Sequence, residues 1–151
     1  MFKKKITILG IGNLLLKDEG VGIHAIEALK KESLPDNVEL VDGAASGFDL
    51  LPIIEQCDKL IVIDAIKTAE PAGTIYQFDP KQIDVERDLN MSLHDVDFFQ
   101  VLEFASKHKW LPEILMIGIV PNEICLSMEL SDIIKAKMPK IVDLVKQAIA
   151  A

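Results

Sequence analysis

The sequence predicts one α/β domain over residues 1–151, a three-layer α/β/α fold with a mostly parallel, twisted sheet of about five strands and helices on both faces. Three observations predict it. Short apolar runs recur at Ile6–Leu9, Val38–Val41, Leu60–Ile63 and Leu115–Val120, and unbroken runs of this kind suit strands buried on both faces. Stretches with apolar residues at helical spacing lie between them, as crossover connections between parallel strands require. Glycine or acidic residues follow the strand ends, where open α/β sheets gather their sites.

The first run ends at Gly10 and enters the stretch Gly10-Ile11-Gly12-Asn13-Leu14-Leu15-Leu16-Lys17-Asp18-Glu19-Gly20-Val21-Gly22. A helix is expected from about Glu19 to Lys31, with Val21, Ala25, Ala28 and Leu29 inside and Glu27, Lys30 and Lys31 outside. Ser33 to Asn37 reads as a turn before the second strand, which closes at Asp42-Gly43. A small-residue loop, Gly43 to Gly47, leads to a short helix from Asp49 to Gln56. Leu60–Ile63 is the clearest central strand and ends at Asp64-Ala65. Thr74 to Phe78 alternates like an edge strand, and the polar stretch Asp79 to Asn90 reads as loop. A helix from about Leu93 to Lys107 carries Val96, Phe99, Leu102 and Ala105 on one face. The last strand closes at Pro121-Asn122. Ser131 is placed to cap a final helix, whose inner stripe includes Ile134, Met138, Ile141, Val142, Val145 and Ala148. Pro139 within that stripe is expected to kink the helix or to mark its start.

Half of the residues are apolar, and the formal net charge is −8. An acidic chain argues against nucleic acid and against anionic membranes as partners. No apolar run approaches the roughly 20 residues of a membrane span. The N-terminal Lys3-Lys4-Lys5 before Ile6–Leu9 imitates a signal peptide, but the apolar part is short and Lys17-Asp18-Glu19 follows at once. A cytoplasmic, monomeric protein is the expectation. Cys57 and Cys125 lie far apart beside apolar runs, giving neither a disulfide framework nor a zinc spacing; both are expected to be small buried hydrophobes.

Gly10-x-Gly12 after a strand invites a dinucleotide-binding reading, but the third glycine of that fingerprint would fall on Leu15. Asp18 and Glu19 then place carboxylates where a phosphate needs a bare helix N-terminus. Taken alone, either acid is a helix cap, Asp64 closes a turn, and Asp42 is a weaker case of the same. His24 and His108 read as structural or solvated. His94 differs, because Ser92-Leu93-His94-Asp95 resembles a capping box and puts the imidazole in a first helical turn. The helix dipole there disfavours protonation and leaves a nitrogen able to bind metal. Glu19, Asp64 and His94 together offer two carboxylates and an imidazole for a divalent transition metal with open coordination positions. Neither cysteine has a nearby base to make it a nucleophile.

The run Gly10-x-Gly12-Asn13-x-Leu15-x-x-Asp18-Glu19-Gly20-x-Gly22 resembles the opening signature of the nickel–iron hydrogenase maturation endopeptidases. The resemblance continues in order through Asp42-Gly43, Asp64-Ala65, Ser92-Leu93-His94, Gly118-Ile119-Val120-Pro121 and Glu129-Leu130-Ser131. This chain has Val120-Pro121 where many relatives have Gln-Pro or Ile-Pro, and Leu93 where some have proline. The resemblance implies an endopeptidase that clips a C-terminal extension from the hydrogenase large-subunit precursor after nickel insertion. It carries the family's metal-contacting residues onto Glu19, Asp64 and His94. Nickel is then expected as part of the substrate, and zinc or cadmium as ions the isolated protein can take up. Water activation falls either to the nickel or to Asp18 or Asp64 acting as general base, as in an aspartyl protease. A metal-delivery protein without peptidase activity and a nucleotide-binding module are the competing readings.

Overall fold

The computed structural model describes residues 3–44, 47–82, 93–108 and 111–151. Strands β1 (Ile6–Ile11), β2 (Val38–Ala44), β3 (Lys59–Ala65), β4 (Ile75–Phe78) and β5 (Glu113–Ile119) form one sheet in the order β2-β1-β3-β5-β4. Every pairing is parallel except β4 with β5, so the edge strand alone is reversed. The predicted mostly parallel five-stranded sheet is therefore the one observed.

Alternation along β3 shows why both faces need cover. Ile61, Ile63 and Ala65 face one apolar layer, with Val21, Ala25, Ile26 and Leu29 of helix α1 (Val21–Leu29) and Ile134, Ile141 and Val145 of the last helix. Leu60 and Val62 face the other layer, with Ile54 of helix α2 (Leu51–Gln56) and Phe98, Val101, Leu102 and Ala105 of helix α3 (Leu93–Lys107). Period two in the strand and period 3.6 in the helices meet in a two-sided core.

Four local readings change. The expected helix start at Glu19 is a 3-10 turn, Lys17–Gly20, and the α-helix begins only at Val21. Lys17 sits at φ 50, which fits a tight turn better than a regular helix start. The last helix, α4 (Asp132–Ala150), continues through Pro139, so Pro139 is not its start. Pro139 is exposed, so the carbonyl it leaves unbonded can face water, while buried residues on both sides keep the helix docked. Ser131 is the residue before that helix, but its hydroxyl makes no cap bond. Cys57 is buried as expected, whereas Cys125 is exposed. No described helix is long and apolar enough to cross a membrane.

Candidate active site at the carboxyl edge of the sheet

Two glycines fix the approach of the first loop to the sheet. Gly12 has φ +143, and a Cβ there would overlap the Glu19 carbonyl. Gly22 lies so close to the carbonyls of Ile63 and Ile11 that a Cβ would overlap both. The glycines of the opening stretch thus let a helix start sit directly on the ends of β1 and β3. Their spacing reflects backbone packing, which explains the missing third glycine of a dinucleotide fingerprint.

That packing brings the 3-10 turn over the end of β3. Glu19 is 7% exposed and Asp64 is 3% exposed. Asp64 belongs to the last turn of β3, where its Oδ1 accepts the amide of Ala65 at 2.8 Å. It lies in register with Gly118 of β5 and shares a face with Leu60 and Val62. Helix α3 covers that face through Phe98, Val101 and Leu102. Because α3 runs back toward the start of β5, its first turn points to the carboxyl edge. His94 belongs to that turn, but its side chain lies outside what the structure describes, as do Ser92 and the rest of the expected capping box. Among described residues, no three His, Cys, Asp or Glu side chains gather as a metal site. The described carboxylates of the expected set are Glu19 and Asp64.

Asp18 is different in kind. It is 0% exposed, and its carboxylate accepts four hydrogen bonds. Oδ2 takes the amides of Asn122 at 3.0 Å and Glu123 at 2.8 Å and the Ser131 hydroxyl at 2.7 Å. Oδ1 takes the Ser131 amide at 2.8 Å. Burial pushes its pKa up, but these donors together outweigh burial and hold it below the usual 3.8. A carboxylate has about four acceptor sites, so this one has no position left for a water. Its geometry is that of a tie between loops, with no room for the general-base role.

The same tie involves backbone. The Lys17 amide donates to the Ser127 carbonyl at 2.8 Å, the Ser127 amide to the Leu15 carbonyl at 2.9 Å, and the Asp18 amide to the Glu123 carbonyl at 3.2 Å. Lys17 also pairs with Glu123 at 3.5 Å. A groove of about 320 Å³ runs along the tie, lined in part by Lys17, Glu123, Glu129 and Lys135. Neither Glu19 nor Asp64 lines it. Asp42 serves its own turn, accepting the Ala44 amide at 3.0 Å.

The strand-end rule selected Asn122, whose amide meets Asp18. It missed Ser131 and Glu123 as Asp18 partners, because no sequence spacing connects positions more than a hundred residues apart.

Comparison with known proteins points to one family. The family model described as hydrogenase maturation protease matches residues 23–148. The chain is 40% identical over 130 residues to a hydrogenase expression/formation protein of Azotobacter vinelandii, covering 82% of this chain and 61% of that protein. It is 32% identical over 123 residues to the hydrogenase 2 maturation protease of Escherichia coli, covering 80% and 75%. The structure of the hydrogenase maturating endopeptidase HybD from E. coli superposes with a TM-score of 0.90 at 28% identity, covering 97% of this chain and 92% of that one. Against the hydrogenase expression/formation proteins of Thiocapsa and Azotobacter, the chain spans 56–61% of their length.

Proposed function

Because the chain belongs to the hydrogenase maturation protease family, we propose that it is an endopeptidase that removes the C-terminal extension of a hydrogenase large-subunit precursor after nickel insertion. One observation carries the proposal: two carboxylates, Glu19 on the turn that packs against β3 and Asp64 near the end of β3, are both buried at the carboxyl edge. Burying a carboxylate is costly, and a buried carboxylate at the carboxyl edge of an α/β sheet is a candidate for chemistry or metal binding.

In this reading the nickel arrives with the substrate, held by the precursor's own ligands. Glu19, Asp64 and His94 complete its coordination, so the metal marks a finished precursor and places the scissile bond. Oxygen and nitrogen donors of this kind suit a divalent first-row metal. Docking turns peptide cleavage into a reaction between groups already held in place. The attacking water is then activated either by the nickel or by Asp64, which stands at the strand end with one oxygen on the Ala65 amide. The protein works in the cytoplasm as a monomer.

Glu19→Gln keeps the shape and removes the negative charge. Processing of the precursor, followed by the mass of its C-terminal peptide, should be lost while the circular-dichroism spectrum and melting temperature stay unchanged. Normal processing by this variant would remove Glu19 from the mechanism. Nickel binding without any cleavage by the parent protein would favour metal delivery instead.

A further inference from the structure

The buried carboxylate beside Glu19 is occupied, and what occupies it defines a second unit of the site. We infer that Asp18 and Ser131 form a positioning pair that locks segment 122–131 onto the loop carrying Glu19, and that the locked segment holds the polypeptide substrate against the site. The second half rests on the endopeptidase reading; the first does not.

Ser131 supplies the first argument. A serine before a long helix ordinarily turns its hydroxyl to the amides of the first turn. Here the hydroxyl goes to Asp18 Oδ2 at 2.7 Å, and its own amide goes to Oδ1 at 2.8 Å. Residue 131 is thus gripped twice by a carboxylate that also holds the amides of Asn122 and Glu123. Both ends of the segment end on one side chain. A charge-assisted bond is roughly twice as strong as a neutral one, so the exchange favours the tie over the cap.

The second argument is the segment's lack of regular structure. Its described ladder contact is a single parallel bridge between Leu16 and Ser127. An irregular stretch that fixes each residue at about 1–2 kcal/mol of backbone entropy needs anchors of this kind. The anchors sit at its two ends and at Ser127, and all of them reach the loop of residues 15–18.

The third argument is what the anchored segment displays. Leu126 is 85% exposed, Met128 58% and Leu15 52%. The bond from the Ser127 amide to the Leu15 carbonyl brings Leu15 next to this pair and continues the surface onto the loop that carries Glu19. Three large apolar side chains held at fixed positions beside a cleavage site match a polypeptide chain, which offers apolar side chains at regular intervals. Asp18 itself, sealed from solvent and filled with donors, touches neither substrate nor water.

The test joins hydrogen exchange with processing kinetics, using the whole chain and a nickel-loaded large-subunit precursor. Ser131→Ala should speed exchange at the amides of Asn122 and Glu123, raise KM about fivefold or more, and leave kcat within about twofold. Ser131→Thr, which keeps the hydroxyl, should restore both. Asp18→Asn should move exchange and KM further in the same direction; if it fails to fold, Ser131→Ala decides alone. Unchanged exchange and KM in Ser131→Ala would overturn the inference, as would a fall in kcat with KM intact. If the parent protein cleaves no precursor, the peptidase reading and the substrate half fall together, and the exchange rates still decide the tie.

Discussion

The two edges of the sheet both bury charge, and they stabilise it differently. At the amino edge, Lys59 is 6% exposed and its Nζ donates to the Ala148 carbonyl at 2.7 Å. That carbonyl belongs to the last turn of α4, where the helix dipole welcomes a cation. Asp58 beside it accepts the Lys5 amide at 2.8 Å. Each charge there closes a chain end or a helix end. At the carboxyl edge, Asp18 plays the same structural part, but Glu19 beside it on the 3-10 turn and Asp64 near the end of β3 are buried as well. Among the described residues, a hollow of about 450 Å³ at the amino edge is lined by residues such as Lys3, Lys5, Asp36 and Glu39, and one of about 320 Å³ lies at the carboxyl edge. Volume does not separate the edges. The buried carboxylates Glu19 and Asp64 are what single out the carboxyl edge.

Substitutions at each edge can break this contrast. The largest effect is expected from Gly22→Ala, since its Cβ would strike two backbone carbonyls that cannot move without lifting α1. A loss of about 3 kcal/mol or more in urea unfolding is expected. A loss under about 1 kcal/mol would show that the helix start is not fixed on the sheet as described. Next comes Asp64→Asn, which should cut processing about 100-fold, roughly 2.7 kcal/mol of barrier, with unfolding midpoints close to those of the parent. Equal processing would mean that the carboxyl edge buries Asp64 for structure alone.

Lys59→Met probes the opposite edge. It removes the bond to Ala148 and should cost about 1–3 kcal/mol of stability while processing rates of the folded protein stay unchanged. A drop in turnover at full folding would erase the distinction between edges. The smallest effect belongs to Cys57, where burial pushes the thiol above its ordinary 9.0. The folded chain keeps that proton above pH 9 while the unfolded chain loses it, so stability falls as pH rises through this window. Cys57→Ala lacks this loss. The stability gap between parent and variant should therefore narrow above pH 9, and a constant gap between pH 7 and 10 would contradict the assignment.

The fold was legible because its signals are local. Runs such as Leu60–Ile63 and the stripe of Ile134, Ile141 and Val145 announce their partners by period alone. Boundaries were less legible where backbone packing decides. Nothing in the composition around Glu19 separates a 3-10 turn from the first turn of a helix; the close seat of Gly22 on Ile63 does. Asp64 could be singled out because it closes a strand, and Glu19 because it lies in the loop that follows the first strand. Asp18 looked equivalent to Glu19 in sequence, and its role as a tie is visible only in the donors that converge on it from Asn122, Glu123 and Ser131. Long-range convergence of this sort leaves no trace in spacing, which is why Ser131 read as a cap.

The central claim is that the carboxyl edge processes a nickel-bearing precursor. The most direct measurement is mass spectrometry of a hydrogenase large-subunit precursor, nickel-loaded or nickel-free, after incubation with this protein. Loss of a C-terminal peptide from the loaded form alone is the predicted result. Cleavage of both forms at equal rates would contradict the role of nickel as the recognition mark, and an intact loaded precursor from the cognate hydrogenase would contradict the peptidase itself.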